Sequence, residues 1–255
     1  MPYLKAALKI SRFALKVGTF GIRNEFELRQ YLQMIGGIKV LSGPFHGLSY
    51  LDMSHGSVWA PKVLGTYEQE LHELIYSLPL NSFKQVVDIG CAEGYYLAGL
   101  AYSARKLGVG LPVDGFDLNP EAVQAANWLC RINALNAQAH TCRYELASSN
   151  AERTLFIIDI EGDETELLTA PTLTRLKSCS FILEVHENPE SKAKLNYFVD
   201  LFNLNHEVQV IRRQNRKLAN FPTNIQIPLP QNAMLEMMNE HRERGNAWIF
   251  ARPKN

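Results

Sequence analysis

From residue 84 onward, short apolar runs alternate with segments whose apolar positions recur every three or four residues. The runs at 85–89, 112–116, 155–160 and 181–185 are short and bounded by polar or turn residues, which predicts buried strands. Segments 95–107, 120–133 and 191–203 carry helical spacing, with Pro120 at a first turn where its missing N–H is not needed. Residues 140–143 read as a weak strand, 164–168 and 171–176 as short helices, and 207–212 and 247–251 as closing strands. Strands alternating with helices predict an α/β fold. The expected sheet is seven-stranded and open, mostly parallel with an antiparallel edge strand, with helices on both faces. The edge is the closing pair, which no crossover helix of the usual kind joins. The stretch between them, at about 214–245, is too long for a hairpin loop. Phe221, Pro222, Ile225, Ile227 and Leu229, followed by a helix at 233–241, make it a packed insertion.

The chain before residue 84 is less regular. Residues 24–35 predict a helix with Asn24 as its cap, ended by Gly36-Gly37. Segments 38–42 and 45–52 read as short strands, and 66–78 as a helix ending before Pro79. Residues 1–24 hold Lys5, Lys9, Arg12, Lys16 and Arg23 and no acid. The first four form one basic stripe on a helix. Such a helix packs on the body with a solvated edge. The same stripe suits an anionic membrane surface contacted through residues 1–20, a partner protein, or a transit peptide. The chain therefore divides into an N-terminal helical extension, 1–45, acting as lid, dimer arm or surface contact, and a main domain, 46–255, carrying the insertion.

Composition narrows the function. With 255 residues and 46% hydrophobic content, the chain is neither disordered nor collagen-like. Lys plus Arg and Asp plus Glu number 26 each, which argues against a nucleic-acid partner. The balance is uneven, however. Residues 151–190 hold nine acids against three bases, and 191–255 hold ten bases against five acids. The acidic block falls where two central strands end, so it predicts an acidic cleft. The longest uncharged stretch, 218–235, contains three prolines and predicts no transmembrane segment. Four scattered cysteines without a CxxC pair point away from disulfides and zinc and toward a cytoplasmic setting.

The strongest chemical signal is Asp88-Ile89-Gly90-Cys91-Ala92-Glu93-Gly94, at the junction of a strand and a helix. A dinucleotide cradle would need glycines at 90, 92 and 95, but Ala92 and Tyr95 stand at two of them, so an NAD-dependent oxidoreductase is disfavoured. The D-x-G-x-x-x-G form resembles motif I of the class I S-adenosylmethionine-dependent methyltransferases. That resemblance implies that Asp88, Gly90, Ala92 and Gly94 pack against the amino acid part of the cofactor, with its ammonium near Asp88. Ala92 departs from the commoner glycine. The next strand ends in Asp117, followed by Leu118 and Asn119. A carboxylate there can accept both ribose hydroxyls. The alternative is that Asp117 caps the following helix, a role Asn119 fills better.

A third block reads Asp159-Ile160-Glu161-Gly162-Asp163-Glu164, then Leu167-Leu168, and the next strand ends in Glu184-Val185-His186. D-x-E-G-x-E-x-x-L-L followed by E-x-H resembles the FkbM-type methyltransferases. The closing Trp248–Pro253 segment and the Leu64–Glu68 segment, with Tyr67 and Glu68 beside the cofactor, also resemble that family. The resemblance spans about 47–253 and implies S-adenosylmethionine as cofactor. The implied acceptor is a hydroxyl of a sugar, polyketide or other secondary metabolite, or alternatively an amide nitrogen of a peptide or protein. A homodimer is a further expectation. The catalytic candidates are His186, Glu184, Glu161 and Asp159, with His186 the best base near neutrality. Asp159, Glu184 and His186 also offer oxygen and nitrogen ligands, so the resemblance permits Mg²⁺ without requiring it. A reading from another class is a non-catalytic cofactor-binding protein or scaffold. The other six histidines (46, 55, 72, 140, 206 and 241) read as ordinary positions, Cys91 as small filler, and the Arg212, Arg213, Arg216 and Lys217 cluster as a solvated face.

Overall fold

The computed structural model describes residues 19–160, 162–186, 193–227, 229–242 and 246–254, with side chains from residue 24 onward. The strands are β1 (Gln85–Ile89), β2 (Val113–Asp117), β3 (Ala137–Thr141), β4 (Thr154–Ile158), β5 (Ser180–Val185), β6 (His206–Arg212) and β7 (Ala247–Pro253). They form one sheet in the order β3-β2-β1-β4-β5-β7-β6. The first five in chain order pair in parallel, and β7 runs antiparallel to both β5 and β6. This is the Rossmann-like seven-stranded fold that the alternation predicts. The chain winds one way from β1 to β3 and the other way from β4. The crevice above the carboxyl ends of β1 and β4 is thus the topological switch point, where ligands of open α/β sheets bind.

The helices are α1 (Thr19–Met34), α2 (Trp59–Leu64), α3 (His72–Ser77), α4 (Tyr95–Lys106), α5 (Pro120–Ile132), α6 (Glu164–Leu167), α7 (Ala170–Arg175), α8 (Ala193–Asn203) and α9 (Gln231–Met237). Alternation along the strands sorts side chains to two cores. Val86, Leu155, Ile157, Ile182 and Trp248 face α4, α5 and the segment before β1. Val87, Ile89, Phe156, Ile158, Phe181 and Leu183 face α7 and α8. Because β4 and β5 are covered on both faces, their sequences are unbroken apolar runs. Among the described residues, no helix is long and apolar enough to cross a membrane.

The fold differs from the sequence pattern at several points. Segments 38–42 and 45–52 form no strands and share only a bridge between Lys39 and Ser49, although Phe45, Leu48 and Tyr50 are core residues. Positive φ at Gly43 and Gly47 keeps this chain turning while it buries its apolar positions. The helix expected over 66–78 is broken, because Glu68 is left-handed (φ 47°) and a 3₁₀ turn precedes α3. Helix α2 escapes the pattern because Pro61 lies inside it, in its first turn. Strand β3 is shifted to 137–141, and α9 covers 231–237 instead of 233–241. The insertion is packed as expected, with Phe221, Ile225, Ile227 and Leu229 buried. The basic stripe of Lys5, Lys9, Arg12 and Lys16, the Arg23 side chain, and Glu161 lie outside the described residues.

Candidate active site

A cavity of about 960 Å³ opens above the carboxyl ends of β1, β4 and β5. Its walls include Asp88, Gly90, Cys91 and Ala92 from the β1 end, Asp159 after β4, and Glu184 and His186 at the β5 end. Tyr67, Tyr95, Tyr96 and Lys62 close one side, and Glu240, His241, Arg242 and Asn246 come from the insertion and its exit. The expected acids therefore converge, as successive parallel strands deliver their ends to one edge.

The β1 loop is built by backbone requirements. A Cβ on Gly90 (φ 84°) would collide with the Asp159 carbonyl oxygen, so glycine here lets β4 approach. A Cβ on Gly94 (φ 91°) would lie 3.1 Å from the Ala126 Cβ, so this glycine seats α4 on α5. Gly94 does not line the cavity. Ala92 occupies a left-handed conformation (φ 46°), and its N–H donates to Asp117 Oδ2 at 2.9 Å. The other Asp117 oxygen accepts from the Asn119 N–H at 2.8 Å. Asp117 is thus locked to the β1 loop, beside the cavity and not in its wall. Asn119 caps α5 by accepting from the Glu121 and Ala122 N–H groups, and Leu118 is 73% exposed beside them.

Asp88 is 3% exposed, and its Oδ2 has no hydrogen-bond partner among the described residues. Burial pushes its carboxyl up to about 7, an effect the Leu97 N–H and distant Lys62 only partly oppose. Burial also pushes the Cys91 thiol up, which suits a filler and not a nucleophile.

At the β5 end, His186 is oriented from behind. Its Nδ1 lies 2.8 Å from Glu164 Oε1, and Glu164 is fully buried. Burial alone would raise the Glu164 carboxyl, but hydrogen bonds from His186 and Lys194 bring it down to about 2. An ionised carboxylate only accepts, so Nδ1 carries the proton and Nε2 carries the lone pair in the neutral ring. Nε2 faces Asp159 Oδ1 at 3.5 Å and Glu184 Oε2 at 3.8 Å. One ligand atom from each of these three residues lies within 4.8 Å of the others.

Several contacts around the cavity had no sequence signal, although Tyr67 and Glu68 themselves were expected near the cofactor. Arg242 reaches from the insertion to Glu184 Oε1 and Glu68 Oε1 and donates to the Tyr67 hydroxyl at 2.6 Å. Glu68 is buried behind Tyr96, whose hydroxyl donates to it, and burial raises the Glu68 carboxyl despite Arg242. Glu93, within the β1 motif, is fully buried and accepts from Lys62, the Tyr50 hydroxyl (2.9 Å), Ser54 Oγ (2.7 Å) and the His55 N–H (3.0 Å). Two of the histidines expected to be ordinary, His55 and His241, line the cavity, and His55 Nε2 is buried without a hydrogen-bond partner among the described residues. Nor is the basic cluster merely a solvated face. Arg216 is buried between Glu70 and Glu240. A run of charges shows no period that distinguishes these cases.

The sequence matches no family model and no curated protein. Solved structures do resemble the fold. One is an rRNA methylase from Streptococcus thermophilus, with 16% identity over 69% of this chain and 90% of that one (TM-score 0.45). Another is a tRNA (uracil-54, C5)-methyltransferase of Pyrococcus abyssi in complex with S-adenosyl-L-homocysteine, with 16% identity over 73% of this chain and 38% of that one (TM-score 0.41). A third is a precorrin 8w decarboxylase of Methanobacterium thermoautotrophicum, with 16% identity over 72% of this chain and 89% of that one (TM-score 0.43).

Proposed function

We propose that the protein is an S-adenosylmethionine-dependent methyltransferase of FkbM type. The observation that carries this reading is the β1 loop. The D-I-G-C-A-E-G segment turns at the switch point, is bonded to Asp117 on the next strand, and sets in the cavity wall Asp88, whose buried Oδ2 has no hydrogen-bond partner among the described residues. An amino acid ammonium would supply that partner, and Asp117 keeps lone pairs for ribose hydroxyls. Leu118 offers an exposed apolar side chain beside them. When bound, the cofactor supplies a methyl group on a sulfonium, a good leaving group.

Residues of this chain would do the rest. The cavity walls align an acceptor hydroxyl with the methyl carbon. As the oxygen–carbon bond forms and the sulfur–carbon bond breaks, His186 Nε2 takes the hydroxyl proton. Glu164 and Asp159 stabilise the resulting imidazolium. Four acids, Asp88, Asp159, Glu184 and Glu240, outnumber Lys62 and Arg242 in the cavity wall, which favours a small neutral or cationic acceptor and disfavours a phosphate backbone. We therefore read the acceptor as a small-molecule hydroxyl.

Asp159, Glu184 and His186 would hold a divalent cation in a metal-assisted form of the same reading. The favouring observation is that His186 is oriented by a carboxylate on its other nitrogen, as metal-binding histidines usually are. A set of two oxygens and one nitrogen suits Mn²⁺ or Fe²⁺ better than Mg²⁺. Such a cation would polarise the acceptor oxygen.

The test is calorimetry with S-adenosylhomocysteine and with NAD, combined with transfer assays on hydroxylated acceptors. S-adenosylhomocysteine binds and NAD does not. Asp117→Ala weakens that binding roughly tenfold or more, the worth of one or two charge-assisted hydrogen bonds. His186→Ala keeps binding and loses transfer. Unchanged affinity in the first variant, or normal turnover in the second, refutes the assignment. Loss of transfer on chelation, restored by Mn²⁺, selects the metal-assisted form.

A further inference from the structure

Helices α4 and α5 start at the carboxyl ends of β1 and β2, so both finish at the opposite edge of the sheet, away from the cavity. Their ends are joined there. Arg105 donates to the Asn133 and Ala134 carbonyls, and the Asn133 side chain holds the Ser49 backbone at 2.8 and 2.9 Å. Ser49 in turn bridges to Lys39. Lys39, Arg105, Lys106 and Arg131 are all exposed at this end of the molecule. None of the four is paired with an acid among the described residues. Asp114 is taken by His140 at 3.2 Å, and Glu121 lies in the first turn of α5, at its other end.

Set among these charges are three large apolar side chains, Leu107 (68% exposed), Trp128 (51%) and Ile132 (40%). The Arg131 guanidinium lies 5.5 Å from the Trp128 ring centre, and Arg105 and Lys106 lie 5.3 and 5.4 Å from that of half-buried Tyr102. Bases in a last helical turn offset the helix dipole. That role does not call for a tryptophan, a leucine and an isoleucine held in water beside them, which costs the burial of their apolar area. The sequence carries the same bias. Residues 28–51, 94–113 and 122–144, the segments that meet at this end, contain no Asp or Glu. The chain ahead of α1 has the same sign, with Lys5, Lys9, Arg12 and Lys16 and no acid.

We propose that the joined ends of α4 and α5 dock on an anionic lipid surface. The four bases meet the head-group charges, Trp128 sits at head-group level, and Leu107 and Ile132 enter the acyl boundary. A nucleic acid would use the bases and the rings, but it offers nothing to the two aliphatic side chains, so lipid is the better match. Docked in this way, the cavity at the other sheet edge faces away from the bilayer, and its ligands enter from water. The inference does not depend on which cofactor the cavity takes.

The experiment floats the full chain with vesicles of phosphatidylcholine alone, and of phosphatidylcholine and phosphatidylserine in equal parts. The wild type binds the second and not the first, and added salt releases it. Lys106→Gln combined with Arg131→Gln weakens binding about thirtyfold, the worth of two bases near an anionic surface. Trp128→Ser weakens it about tenfold through lost apolar contact. These positions are exposed, so unfolding temperatures stay within about 2 °C of the wild type. A full-chain variant with Lys5, Lys9, Arg12 and Lys16 all changed to Gln still responds to Trp128→Ser. Absence of binding to the phosphatidylserine vesicles overturns the proposal, and so does equal binding by the wild type and the Lys106, Arg131 and Trp128 variants. If changing the four N-terminal bases abolishes binding while the face variants bind normally, the attachment belongs to the N-terminal segment and the face is refuted. Binding of duplex RNA in preference to the vesicles, lost in the same face variants, gives the surface to nucleic acid and refutes the lipid assignment.

Discussion

Asp88 combines burial, a missing partner and a carboxyl pushed up to about 7. The direction follows from desolvation, which disfavours the charged form. Between the unfolded value near 4 and the folded value near 7, the folded protein binds more protons than the unfolded chain. Asp88 therefore makes the unliganded protein less stable as pH rises through that window. A cationic ligand group reverses the preference, because it binds the ionised form. S-adenosylhomocysteine affinity should thus rise about tenfold from pH 6 to pH 8, following the ionised fraction of a group with pKa near 7. Asp88→Asn should flatten that dependence, raise unliganded stability at pH 8, and weaken binding there. Calorimetry at three pH values and thermal melts check all three outcomes. His186 shows the complementary case. Its identity as a candidate base was legible as the end of an E-x-H strand, but its tautomer depends on Glu164, which the sequence placed in the D-x-E-G-x-E run without a role.

The β1–α4 junction behaves as a unit clamped from outside. Glu93 sits in its turn and collects four donors from residues 50–62, among them the buried Lys62. This ion pair fixes the loop before α2 against the motif, which shapes one wall of the cavity. Burial pulls the Glu93 carboxyl up, but Lys62 and the hydroxyl and backbone donors bring it below its ordinary value. Removing one partner leaves a buried charge uncompensated. Glu93→Leu should cost about 3–5 kcal/mol in chemical denaturation, and Lys62→Met a similar amount. The double variant should recover much of the loss, since two apolar groups replace the pair. Elements with repeating burial were legible in the sequence. β4 and β5 are covered on both faces, and α5 carries Asn119 and Pro120 at its start, an unambiguous cap. The segment before β1 was not, because turns at Gly43 and Gly47 and a left-handed Glu68 bury apolar residues without a regular period.

Across the whole molecule, the neutral total of charge resolves into buried networks around an acidic cavity. Arg242 is the link between the insertion and the sheet, joining Glu184 on β5 to Glu68 and Glu240. Arg242→Met should destabilise the protein by about 3–5 kcal/mol near neutral pH, because buried Glu68, Glu184 and Glu240 lose their cationic partner. Burial already raises the Glu68 and Glu240 carboxyls, and without Arg242 they would titrate higher still in the folded state, so the deficit should shrink as pH falls toward 5. Melts of wild type and variant across that range would read the gap, and a constant gap would refute the counter-ion role. The sequence by itself determined the alternating architecture, the antiparallel closing pair, the glycine-bearing turn after β1, and the delivery of Asp88, Asp159, Glu184 and His186 to one sheet edge. Burial period and turn chemistry are local properties, written within a few residues of where they act. Tertiary structure alone decided the partners of the charges. Lys62 meets Glu93 across 31 positions, and Arg242 meets Glu184 across 58 and Glu68 across 174. Such pairings depend on which surfaces the packing brings together, and no spacing along the chain encodes them.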